Sequence, residues 1–196
     1  MTRQEEFWNW FIEHESEQYD FEDRDREKTF DQLASVLQKV DPDLTFEFGP
    51  KETRREFVIS AGGIKRAFPA VGSLVGAAPP LGRWKITAFR PRRRPGIVEF
   101  RGKRVDPEYV QFTLLENGKI AGIYLFIPGF RGNDPDLKQI GYLLLDEVLG
   151  EHDVENRLGL IEMLSPDTPT EGERHPLTEL PRLFDRLVSQ IEARSR

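Results

Sequence analysis

Apolar residues recur along this chain at two spacings, and the alternation between them outlines a fold. In EEFWNWFIEHE, Phe7, Trp10 and Phe11 follow at i, i+3 and i+4, with Trp8 and Ile12 widening the stripe. That spacing predicts a helix with one buried face. EQYDFEDRDRE has no period and reads as a charged connector. From near Arg26 the helical spacing returns through Phe30, Leu33, Leu37 and Val40, with Val36 beside them, until DPD at 41–43 ends it. Residues 1–43 therefore read as a helical pair. LTFEFGP then alternates Leu44, Phe46 and Phe48 against Thr45 and Glu47, the period of a half-buried strand, and REFVIS reads as an antiparallel second strand. In AGGIKRAFPAVGSLVGAAPPLG, the stripe Ile64, Phe68, Val71, Leu74, Val75 predicts a helix stopped by Pro79 and Pro80, with Pro69 in its first turn. RWKITAF is a strand, and VEF a short one ending at Gly102.

The sharpest local signal is YVQFTLLENGKIAGIYLFIPG, where two β-rich runs flank Asn117-Gly118, the preferred pair of a type I′ hairpin. Leu137, Ile140, Leu144, Leu145 and Val148 mark the next helix, and LGLIEML the last strand. SPDTPTEGERHP is rich in proline and acid, so residues 165–176 are expected to be a mobile loop. Residues 177–196 are expected to form a terminal helix with Leu180, Leu183, Phe184, Leu187 and Ile191 inward. Hairpins with helices set between them predict an α+β fold with a mostly antiparallel sheet. The β-β-α-β runs at 44–89 and 109–164 share a pattern and read as two ferredoxin-like halves. With no clear linker between them, 1–196 is expected to be a single domain.

Composition adds an uneven charge map. The net charge is -6, but residues 51–104 hold 14 basic and 3 acidic side chains, a net of +11. The flanking segments carry -9 and -8. The centre of this island, RWKITAFRPRRRPGIVEFRGKRV at 83–105, has nine Lys/Arg and one acid, Glu99. Pro91 and Pro95 bracket three arginines and forbid regular helix there, so the guanidinium groups are expected on an extended loop. Arg90, Arg92, Arg93, Arg94, Arg101, Lys103 and Arg104 are thus candidate binding residues, with Arg101, Lys103 and Arg104 returning to the same edge. The alternative for these charges is pairing with the acidic arms of the chain itself.

Other chemistry is thinner. There is no Cys, which excludes disulfides, thiolate metal sites and a Cys nucleophile. GSLVGAAPPLG lacks the Lys-Ser/Thr end of a phosphate loop, and no GxSxG occurs. GEHDVE sets Glu151, His152 and Asp153 just beyond a helix bearing Asp146 and Glu147, a group able to hold a divalent cation if it converged. Neighbouring residues on one element point apart, which argues against convergence. No cofactor is expected. The start MTRQEEFWNWF is not a secretory signal and no apolar run is long enough to span a bilayer, so the expectation is a soluble cytoplasmic protein with no membrane partner.

FWNWF at 7–11, LTFEFGP at 44–50, REFVISAGGIKRAFPAV at 55–71, RWKITAFRPR at 83–92 and LLLDEVLGEHDVENRLGLIEM at 143–163 occur in one order. Together they resemble an uncharacterised family of bacterial proteins with FWxWF, EFVISA-G and LDxxLGExDVE segments. The resemblance implies a small cytoplasmic bacterial protein and brings no catalytic residue with it.

Two functional readings follow. The first is a non-catalytic binding or regulatory protein that docks an acidic protein surface through the arginine-rich loop. RNA comes second as a partner, because the chain is acidic and has no nucleic-acid-binding motif. The alternative is a metal-dependent hydrolase or nuclease built on Asp146, Glu147, Glu151, His152 and Asp153.

Overall fold

The computed structural model describes residues 1–194, with the backbone alone at Asp23. The chain is α+β and packs as two compact units, Met1–Arg90 and Pro91–Arg196, a division that the sequence reading did not draw.

The first unit opens with α1 (Arg3–Glu13). Thr2 caps it by accepting from the Glu5 amide, and the Glu5 carboxylate accepts from the Thr2 amide. Phe7, Trp8 and Phe11 are buried. Trp10 is half-buried and stacks on His14 at 4.5 Å, so the expected core stripe is centred one position away from it. The connector that showed no period contains the short helix α2 (Glu15–Asp20), and α3 (Arg26–Val40) follows. Strands β1 (Thr45–Phe48), β2 (Arg55–Ser60) and β3 (Trp84–Ala88) form one sheet in that order, with α4 (Phe68–Gly76) between β2 and β3. The β1–β2 pair is antiparallel and β2–β3 is parallel. Phe57 lies at the centre of this core, with Phe11 and Phe48 rings 5.1 Å away and Trp84 at 5.9 Å. Each buried indole finds an acceptor: Trp8 Nε1 donates to Leu74 O at 2.8 Å and Trp84 Nε1 to Glu15 at 2.8 Å.

The second unit repeats the plan. A small hairpin, β4 (Val98–Phe100) with β5 (Lys103–Val105), precedes β6 (Gln111–Asn117) and β7 (Ile120–Phe126). After these come α5 (Pro135–Leu149), α6 (Glu151–Arg157), β8 (Leu158–Leu164), β9 (His175–Pro176) and α7 (Leu180–Arg194). The sheet order is β8-β7-β6-β9. Again the hairpin β6–β7 is antiparallel and the strand after the helices, β8, returns parallel to β7. The β-β-α-β pattern seen in the sequence is thus present in both units. Gly141 lets α5 sit close on the sheet, because a Cβ there would overlap Met163.

Two local expectations change. Asn117 pairs with Ile120, so the hairpin turns on Gly118-Lys119 rather than Asn117-Gly118. Gly118 has φ 67° and Lys119 is not left-handed. That matches type II′, which needs glycine only at its first central position. The polar loop at 165–176 is tied across the sheet. Arg174 stacks 3.8 Å from the Phe126 ring centroid and donates to Pro166 O and Thr168 O, at 2.6 and 2.5 Å. Glu173 O accepts from Thr113 Oγ1 at 3.1 Å. No helix of the described residues is long and apolar enough to cross a membrane.

Candidate docking surface

The basic island is not one patch. Arg90 closes the first unit. Phe89 before it has φ 63°, an uncommon conformation for a bulky residue. It is held by its amide to Ile59 O at 2.8 Å and by its ring on Phe68 at 4.5 Å. This bend delivers Arg90 to Glu47 at 2.6 Å, tying the end of β3 to β1.

The other six candidates belong to the second unit. Arg92 is spent on structure. It donates to Leu149 O at 2.9 Å, to Asp153 at 2.6 Å and to both oxygens of Asp185 at 2.9 and 2.8 Å. One guanidinium thereby joins the end of α5 to α6 and α7. These bonds hold the Asp185 carboxyl below its ordinary range, against an opposing effect of burial. Next in sequence, the Arg93 amide donates to Glu147 O at 2.5 Å and the Gly96 amide to the Glu147 carboxylate at 3.2 Å. The Pro-bracketed loop is therefore pinned at both ends while the Arg93 and Arg94 side chains face solvent. Arg94 has no partner among the described residues.

Arg101, Lys103 and Arg104 lie on the β4–β5 hairpin. Arg101 sits 3.7 Å from Asp136, and Lys103 bonds Asp134, the residue that caps α5. Arg104 pairs with exposed Glu99 at 3.2 Å. Asp136 and Asp134, which meet Arg101 and Lys103, mark the start of α5. Glu147, near Arg93, stands eleven residues beyond Asp136, or about 16 Å along the helix axis. The two cationic clusters thus flank opposite ends of α5, and the expected return to one edge is not what the hairpin does.

The acidic group does not assemble as metal ligands. Asp153 serves Arg92 and lies 3.5 Å from Arg157. Glu147 holds the loop, Glu151 is fully buried, and the His152 side chain is 58% exposed. Asp146, like Glu151 and His152, has interactions of its own. Among the described residues no three His, Asp or Glu stand together in an arrangement that would hold a metal ion.

Sequence reasoning missed an opening in this unit. A groove of about 550 Å³ runs between α5 and β8, with Lys138 and Tyr142 on the helix side and Ile161 and Met163 on the strand side. Phe130 and Thr168 are also part of its wall. Among the described residues the Lys138 ammonium bonds Asn133, at 2.5 Å, and exposed Arg131 in the preceding loop has no partner. The only signal in the sequence was two unremarked basic residues around NDPD, because the strand order that opens the groove is not written locally.

Compared with protein-family models, curated proteins and solved structures, the chain matches none. Its chemistry is read from the surface itself.

Proposed function

We propose that this chain is a non-catalytic binding module that docks an acidic segment of a partner protein at the α5 end formed by Asp134 and its neighbours. The observation that carries the reading is the local charge balance. Arg101, Lys103, Arg131 and Lys138 outnumber Asp134 and Asp136 there, and neither Arg131 nor Lys138 has a carboxylate partner among the described residues. Asp134 is already engaged: its bonds from Lys103 and then from the Leu137 amide hold its pKa down. An incoming carboxylate therefore meets cations that the fold has not neutralised. Arg90 and Arg92, committed to internal pairs, take no part, and Arg93 and Arg94 form a separate cationic point.

The test is a titration with a labelled oligoglutamate peptide and with single-stranded RNA of equal charge, over a salt series. Arg131→Ser with Lys138→Ser is expected to weaken peptide binding roughly tenfold and flatten its salt dependence. Arg93→Ser with Arg94→Ser is expected to do less. Tighter binding of RNA than of peptide, or no peptide binding at low salt, overturns the reading.

A further inference from the structure

Strand β8 is the last strand on one side of its sheet, and among the described residues no strand pairs with its outer edge. The Leu164 carbonyl accepts from the Ile127 amide at 3.0 Å, which fixes the side that faces inward. By strand alternation the backbone groups of Leu160 and Glu162 also face β7, and those of Ile161 and Met163 face away. Natural edge strands are commonly blunted by lysine, proline or a covering element. β8 contains neither lysine nor proline, and its one charge is Glu162. Large apolar side chains border it instead: Leu160 within it, Ile120 beside Gly159, and Tyr142 across the groove, exposed by 36%, 37% and 40%.

From this geometry we infer that the acidic partner segment binds as an added β-strand along β8, its alternate side chains entering the groove beneath Tyr142 and its carboxylates reaching Lys138. The inference rests on the acidic-partner reading and specifies its mode. Main-chain hydrogen bonds to Ile161 and Met163 supply the affinity, as in other strand-addition complexes. Lys138 and Arg131 select the acidic sequence, since neither meets a carboxylate among the described residues. A second copy of this chain would bring its own Lys138 and Arg131 to the same groove, which favours a different, acidic occupant.

The probe is a synthetic peptide of alternating threonine and valine ending in two glutamates, added to the full chain. Amide hydrogen exchange is read residue by residue by NMR. The Ile161 and Met163 amides are expected to exchange quickly alone and about tenfold or more slowly with saturating peptide. The same peptide ending in two lysines is expected to bind more weakly. Ile161→Pro removes an outward donor while leaving the inward bonds to β7, and is expected to abolish the protection. Should that variant not fold, Lys138→Glu is expected to invert the preference between the two peptides. Binding of the acidic peptide without protection of Ile161 and Met163 overturns strand addition and leaves the acidic-partner reading standing. No binding of any acidic peptide overturns both. Protection of both amides in the protein alone, with a dimer in sedimentation, assigns the edge to a second copy and overturns the inference.

Discussion

Arg55 carries a charge into the core of the first unit and meets no carboxylate among the described residues. It is 7% exposed, its guanidinium lies 4.8 and 4.9 Å from the Phe21 and Phe48 ring centroids, and it donates to Gly49 O and Tyr19 O at 2.9 and 3.2 Å. Burial pulls its pKa down, but an arginine stays charged there, and the flat group suits both rings. A lysine has neither the plane nor the fork. Arg55→Lys is expected to destabilise by about 1–3 kcal/mol in urea unfolding, and an unchanged midpoint would contradict this account. Gln18 is the opposite case. It is fully buried, and neither its amide oxygen nor its nitrogen has a partner among the described residues. An unsatisfied buried amide costs more than an apolar side chain of similar size. Gln18→Leu is therefore expected to hold or raise the melting temperature. Such pairings explain why the site was poorly legible. Arg92 meets Asp153 and Asp185, 61 and 93 positions away, and no local pattern announces a partner at that distance.

At the scale of elements, long helices with a continuous apolar stripe were legible, and so were the longer strands. The start of α3 at Arg26 and the first-turn position of Pro69 in α4 agree with the pattern. Short pieces were not: α2, α6, β5 and β9 are too brief to show a period and exist because tertiary partners complete them. The hairpin was found but placed one residue early, since Asn-Gly fits type I′ and here only the glycine is left-handed. A Cβ at Gly118 would meet nothing within 4 Å, so a substitution there is opposed by backbone conformation alone. Gly118→Val is expected to cost on the order of 1 kcal/mol or more, read as a lower melting temperature. The loop at 165–176 gives a sharper contrast. Its composition suggests an easy cleavage site at Arg174, yet that guanidinium is held by two carbonyls and a ring. Limited trypsin digestion is expected to spare Arg174 and to cut first at an exposed basic residue such as Arg131. Early cleavage at 174 would show the strap to be loose.

On the scale of the whole molecule, the pronounced segregation of charge in the sequence becomes a set of local pairings within each unit. Glu15 in the first unit, bonded by Arg83 and Trp84, and Asp134 and Asp185 in the second all have lowered pKa values. Each contributes stability that is fully present above the unfolded carboxyl range, near pH 4, and is lost as pH falls through the lower folded value. The urea midpoint is thus expected to be flat from pH 7 to about 5 and to fall below pH 4. Arg92→Met is expected to lower the neutral plateau and shrink that acid decline; an identical decline in the variant would remove Asp185 from the account. The two units also differ in what they contain. Trp8, Trp10 and Trp84 all belong to Met1–Arg90, whereas Tyr109, Tyr124 and Tyr142 belong to the other unit. Indole emission is therefore an optical label that the chain has placed on one half of itself. A steady tryptophan signal on adding a peptide says nothing about the groove beside β8, where the chromophore in place is Tyr142.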